Sequence, residues 1–213
     1  FKVSENENYK RWKKSNVIKK KKKGYVGVYV RIPLGNISSD NARKFSKIVK
    51  AYAADDIRIT LGQSFLLRFV KEEALPAIYS ELEKLGLTKA GAGSTADITS
   101  CPGTETCNLG ISNSTGVAAA FEELIQDEFP DLIYNQDIKI KISGCMNSCS
   151  QHGMAQIGFH GSSLKAGTNV VPALQLLLGG GVIGNGEGRA AEKVIKFPSK
   201  RGPQVLRTIL NEY

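Results

Sequence analysis

Residues 25–33, YVGVYVRIP, are β-branched and aromatic, and this run predicts a strand. Gly35 and Asn36 then turn the chain. Asp40 is placed to cap a helix reaching about Ala53, because Ala42, Phe45, Ile48, Val49 and Tyr52 recur at helical spacing on one stripe. Asp55 and Asp56 close that element. IRITL and SFLLRFV read as two strands with Gly62 to Ser64 between them. Lys71 to Leu85 reads as a helix ended by Gly86. Strand, helix, strand, strand, helix is half of a split βαβ arrangement, an α+β sheet with helices on one face.

A second unit is expected from about Gly91. AGAGSTADITS is small and polar, a connection rather than a core element, and Cys101 to Cys107 is a loop. Thr115 to Gln126 reads as a helix burying Val117, Phe121, Leu124 and Ile125. Asp137 to Ser143 alternates as a strand and delivers Cys145 into a turn. Met154 to Phe159, Val170 to Leu178 and Lys193 to Phe197 are further strand candidates. Gly179 to Gly188, with six glycines, reads as a flexible loop, and Pro203 to Tyr213 as a closing helix.

Of the 213 residues 41% are hydrophobic, enough for a core in one domain or two small ones. The longest apolar run, VVPALQLLL, is broken by Pro172 and Gln175 and is far short of the roughly 20 residues that cross a bilayer. A soluble, cytoplasmic protein without a membrane partner is expected. The chain opens on Phe1 and shows no internal repeat, which suits a piece of a longer protein.

The formal net charge of +9 is unevenly placed. Residues 1–23 hold ten Lys or Arg against two Glu, while residues 24–213 hold nineteen against eighteen. Residues 1–23 are therefore expected to be a basic, solvated arm, dispensable for folding. No helix-turn-helix, zinc finger or aromatic-studded sheet motif accompanies the lysines, so a nucleic-acid partner is not expected.

The candidate chemistry lies in the four cysteines. Cys101 and Cys107 are separated by five residues in CPGTETC, and Cys145 and Cys149 by three in GCMNSC. Two loops presenting two thiols each suit an iron–sulfur cluster, a structural zinc or two disulfides. The five-residue gap fits zinc knuckles poorly, and disulfides belong to small, cysteine-dense secreted chains. A cluster suits the pattern best, with zinc and disulfides left open.

CPGTETCNLG followed by SGCMNSCSQHG resembles the cluster motif of the nitrite/sulfite reductase family. GYVGVYVRIPLGNI, TLGQSFLLRFV and LLGGGVIGNGEGR extend the resemblance over nearly the whole chain from Trp12. The resemblance implies a basic linker at 1–23, a ferredoxin-like half-domain (βαββα) at 24–90, and an α/β domain binding 4Fe–4S and sirohaem at 91–213. It implies Cys101, Cys107, Cys145 and Cys149 as cluster ligands, with Cys149 shared with the sirohaem iron.

Further residues are implied near the macrocycle. Asn147 has the family's contact position, though Asn also suits a left-handed turn. Thr106 has the same double reading. In the glycine-rich loop Asn185 and Arg189 approach sirohaem, whose carboxylates call for cations and N–H donors. Gln63 stands where the family has Gln-Asn, but here Ser64 replaces the Asn. His152 is close enough in sequence to Cys149 to hydrogen-bond a sulfur or the macrocycle, although a lone histidine is more often structural.

The family's substrate-holding cations come mainly from a first half absent here. The chain is therefore expected to be the C-terminal part of a reductase acting on nitrite or sulfite, inactive by itself. Its partners would be that missing N-terminal half, a small oxyanion and an electron donor, either ferredoxin or a reductase subunit. The alternatives are a cluster-only electron-transfer module and a zinc-bound structural or nucleic-acid-binding domain.

Overall fold

Inside the lysine-rich segment a helix forms, α1 (Glu7–Asn16), capped by the Asn6 side chain, which accepts the Asn8 N–H. It is followed by β1 (Val17–Lys19). The structure is a computed structural model describing residues 6–213. The chain divides into two units, the first ending at Ala92 and the second running Gly93–Tyr213.

The expectation of a solvated arm is corrected for residues 7–19. Tyr9 and Trp12 recur on one face of α1, and both are buried in the first unit's core. Asn16 is buried too, and it donates to the carbonyls of Tyr29 and Lys89 and accepts the Ala92 N–H. The lysines occupy the other face and point to water. Charge count hid an amphipathic helix because two aromatics three apart are a short signal in a ten-residue element.

Next come β2 (Tyr25–Val30), α2 (Ser39–Tyr52), β3 (Ile57–Ile59), β4 (Phe65–Lys71) and α3 (Leu75–Glu83). The strands pair antiparallel in the order β1-β2-β4-β3. The βαββα order is the one the pattern predicted. Ser38, not Asp40, caps α2, its hydroxyl accepting the Asn41 N–H at 3.2 Å. The helix expected from Lys71 begins at Leu75 instead, because β4 pairs with β2 through Lys71 and a 3-10 turn precedes Pro76 in the first helical turn. Val28, Leu67, Leu75, Ile78 and Leu82 join Trp12 and Tyr79 in one core.

The second unit holds β5 (Thr99–Ser100), α4 (Ser114–Glu128), β6 (Ile140–Ser143), β7 (Ile157–Ala166) and β8 (Asn169–Leu178). After these come β9 (Gly181–Gly184), β10 (Glu187–Arg189), β11 (Glu192–Pro198) and α5 (Gly202–Glu212). A five-stranded sheet runs β11-β8-β7-β6-β5, parallel at β5, β6 and β7 and antiparallel beyond. Phe121 of α4, Phe159 of β7 and Phe197 of β11 form its aromatic core. Pro172 is tolerated in β8 because pairing with β11 stops at Ala173, so one side of the strand needs no donor there.

The glycine-rich segment is not a loop. It is a β9–β10 hairpin, turned by Asn185 (φ 48°) and Gly186 (φ 80°). Two successive left-handed residues make the turn whose twist matches a hairpin, and Asn-Gly is its strongest sequence signal. Among the described residues no helix is long and apolar enough to cross a membrane.

Candidate cofactor site

Both cysteine loops grow from the ends of adjacent parallel strands. Cys101 follows β5, its N–H donating to the Ile142 carbonyl at 3.2 Å. A 3-10 turn at Gly103–Glu105 then brings the Cys107 N–H onto the Gly103 carbonyl at 2.9 Å. Cys145 follows β6 after Gly144. Because β5 and β6 are parallel neighbours, both loops leave the same end of the sheet.

The two loops interlock through glycine. A Cβ on Gly144 would lie 2.6 Å from the Gly103 Cα, and one on Gly103 would lie 2.3 Å from the Ser114 hydroxyl. Strand β7 closes from the other side: a Cβ on Gly161 would lie 2.0 Å from the Gly144 carbonyl oxygen. That carbonyl also accepts the N–H groups of Ile111 and Ser112. Backbone therefore packs on backbone where any side chain would intrude. Gly144→Ala is expected to destabilise the second unit by about 1–3 kcal/mol, measured as a lower urea midpoint. An unchanged midpoint would show that the loops do not meet at this residue.

The contact also sets the state of a sulfur. The Gly144 N–H donates to Cys101 Sγ at 3.1 Å, and the Ser114 hydroxyl lies 3.6 Å from it. Burial pushes the Cys101 thiol up, but hydrogen bonds from Gly144, Ser114, Gly103 and Ser150 outweigh burial and hold it below its ordinary value. Cys145 is buried, while Cys107 and Cys149 are exposed. All four are free thiols. Among the described residues no three His, Cys, Asp or Glu side chains form a metal-binding group. The donor set itself suits a cluster: four thiols on interlocked, glycine-packed loops, one of them held below the ordinary thiol value.

The other expected residues scatter. Asn147 and Thr106 are exposed beside the cysteines. The left-handed turn residues are Ser148 (φ 61°) and Gln151 (φ 60°), not Asn147. Asn185 is the exposed tip residue of the β9–β10 hairpin. Arg189 is exposed and pairs with Glu192 at 3.3 Å. The base of this hairpin is tied beside the second cysteine loop, Gly180 N–H to the Ala155 carbonyl and Ala191 N–H to the Gly153 carbonyl. Gln63 belongs to the first unit, in the left-handed position of the β3–β4 turn (φ 60°) and against Gly35. Ser64, the departure from the family's Asn, is buried and accepts the Ile32 N–H, tying the end of β2 to the start of β4.

Three groups take their surroundings from the structure alone, His152 among them, which the sequence marked only by its nearness to Cys149. His152 is buried, 2.8 Å from the Ser143 hydroxyl, and its ring lies 4.9 Å from that of His160. Desolvation, reinforced by His160 and Lys193, pushes it down to about 4. Lys141 in β6, the strand leading to Cys145, and Lys139 just before that strand are two residues apart. Burial lowers both below the ordinary lysine value, with Lys139 adding to the effect on Lys141. Lys141 donates to Gln151 Oε1 at 2.8 Å. Leu109, Ile111, Met146 and Met154 form exposed apolar positions flanking the cysteines. Alternation along 139–143 was the one sequence signal for the lysine pair.

Residues 18–85 match the nitrite/sulfite reductase ferredoxin-like half domain, and residues 91–213 match the nitrite and sulphite reductase 4Fe-4S domain. The chain is similar to the ferredoxin–nitrite reductase of Synechococcus elongatus, 25% identical over 88% of this chain and 36% of that protein. It is similar to the assimilatory-type sulfite reductase of Nitratidesulfovibrio vulgaris, 29% identical over 70% of this chain and 66% of that protein. Among solved structures, the NirA protein of Mycobacterium tuberculosis superposes with a TM-score of 0.77 at 22% identity, over 93% of this chain and 37% of that one. The chain thus spans about a third of the nitrite reductase it matches, and the likeness to NirA is one of fold.

Proposed function

The chain belongs to the nitrite/sulfite reductase family, and from that premise we propose that its second unit holds a 4Fe–4S cluster and one face of a sirohaem in the reduction of nitrite or sulfite. The carrying observation is the interlock of the two cysteine loops at Gly103 and Gly144, with the Gly144 N–H on the Cys101 sulfur. Cys101, Cys107, Cys145 and Cys149 are the cluster ligands in this proposal, with Cys149 shared with the sirohaem iron. Bound together, the two groups supply one-electron steps and an iron that takes the oxyanion.

This chain's own residues do the rest. The N–H of Gly144 stabilises the Cys101 sulfur as thiolate, while the Ser114 hydroxyl ties the Cys101 carbonyl. The exposed apolar side chains of Leu109, Ile111 and Met146 offer a surface that a flat macrocycle would cover. Asn147 and Thr106 border that surface. Arg189 and Asn185 approach from a hairpin tied beside the second cysteine loop, and the exposed Arg189–Glu192 pair is weak enough to yield to a macrocycle carboxylate. Lys139 and Lys141, with lowered ammonium values, are the second unit's candidates for holding an oxyanion or passing a proton. The electron donor is a ferredoxin or a reductase that draws on NAD(P)H, the two kinds named for relatives. A cytoplasmic setting fits this chemistry.

Anaerobic reconstitution tests the proposal. About four irons per chain are expected, and Cys101→Ser or Cys145→Ser should abolish retention. Full iron content and an unchanged visible spectrum in either variant would sink it. A second reading, a chain active by itself, rests on one observation: the aligned part is 66% of the assimilatory-type sulfite reductase and 70% of this chain, so the two are of similar length. With both groups bound, sulfide or ammonia formed at an enzymatic rate from a reduced viologen would establish it. Activity only after adding a missing first half would establish the fragment reading instead.

A further inference from the structure

We propose that His152 is a positioning residue that fastens the Cys145–Cys149 loop to the sheet through Ser143. This inference rests on the reading of that loop as a cluster-binding segment. His152 opens the short 3-10 turn directly after the loop and is buried. Its Nδ1 lies 2.8 Å from the hydroxyl of Ser143, the last residue of β6. The same hydroxyl accepts the Ser150 N–H at 3.3 Å, and the Ser150 hydroxyl donates to the Ile142 carbonyl at 2.7 Å.

One serine oxygen therefore joins the residue before the loop to two residues after it. With the ring proton on Nε2, the Nδ1 lone pair takes the Ser143 hydroxyl proton, leaving that oxygen free to accept from Ser150. The His160 ring lies 4.9 Å from the imidazole, and the backbone of His152 packs tightly on β7, where a Cβ on Gly158 would lie 2.1 Å from the His152 carbonyl oxygen. The loop between these anchors is otherwise poorly covered, with Met146, Asn147 and Cys149 exposed. A segment that must hold two sulfurs still, yet is open to solvent, gains its order from its ends.

The test reads loop order in the reduced, metal-free chain, by the rate at which a maleimide labels the buried Cys145, resolved from the other cysteines by peptide mass. His152→Leu is expected to speed Cys145 labelling about tenfold, the effect of losing one buried hydrogen bond of about 1.4 kcal/mol, and Ser143→Ala, which loses the His152 and Ser150 bonds together, at least as much. The exposed Cys107 should label at the parental rate. His152→Asn, whose amide reproduces the Nδ1 position, should restore slow labelling. Unchanged Cys145 labelling in Ser143→Ala would overturn the proposal, as would His152→Asn labelling as fast as His152→Leu. Should His152→Leu fail to fold, Ser143→Ala and His152→Asn decide by themselves. Failure of the cluster reading shows separately, as a parent chain that retains no iron while Cys145 protection still follows His152.

Discussion

Trp12→Ala is expected to cost the first unit about 3–5 kcal/mol and to lower its thermal midpoint by more than about 10 °C. The indole is fully buried. It packs edge-on against Tyr79 at 5.2 Å between ring centroids, and Tyr9 completes the trio. Removing it leaves a cavity the size of an indole under a helix only three turns long. Native stability is usually about 5–15 kcal/mol, so the loss takes a large share of it. Trp12→Phe separates packing from hydrogen bonding. The indole N–H has no hydrogen-bond partner among the described residues, so phenylalanine loses area and no hydrogen bond, and less than half the effect should remain. Near-UV circular dichroism during thermal and urea unfolding measures both. A Trp12→Ala midpoint within about 2 °C of the parent would show that α1 is the detachable arm its charge suggests.

Stability is also expected to fall by about 2–3 kcal/mol between pH 7 and pH 4.5 through His152 alone. In the folded chain desolvation, with His160 and Lys193, holds this imidazole at about 4, whereas an unfolded histidine titrates near its ordinary 6.5. Above about pH 6.5 neither state is protonated and the full stability is present. Between 6.5 and 4 the unfolded chain takes up a proton that the folded chain refuses, so stability declines as pH falls. Below 4 both states carry the proton and the slope vanishes. His152→Asn removes the term. Urea unfolding of parent and variant across this range should show the parent losing about 2–3 kcal/mol relative to the variant toward acid. Parallel curves would place His152 in contact with water.

Much of the first unit could be read from side-chain periodicity. The βαββα order followed from β-branched runs and one helical stripe, because each element buries a face whose period is its own. The misread elements have particular causes. Lys71 to Ala74 carries charged side chains compatible with helix, and only pairing of β4 with β2 keeps Lys71 extended. The β9–β10 hairpin was hidden by its glycines, although Asn185–Gly186 was the turn signal to follow. Helix α1 was hidden by its lysines, although Trp12 and Tyr9 marked its buried face.

The four thiols, their spacing and the family resemblance were properties of the linear chain, since ligand type and gap length need no coordinates. So were the existence of two units and the helices α2, α4 and α5, whose apolar stripes are long enough to declare themselves. What only the tertiary structure decided is how distant backbones meet. Gly103, Gly144 and Gly161 come from two loops and a strand, and no local pattern says that they touch. The lowered Cys101 value depends on an N–H donated by Gly144, and the fastening of the second loop depends on Ser143 meeting His152. Burial and hydrogen bonding act through space, so the chemistry of a site is set by neighbours that sequence distance conceals.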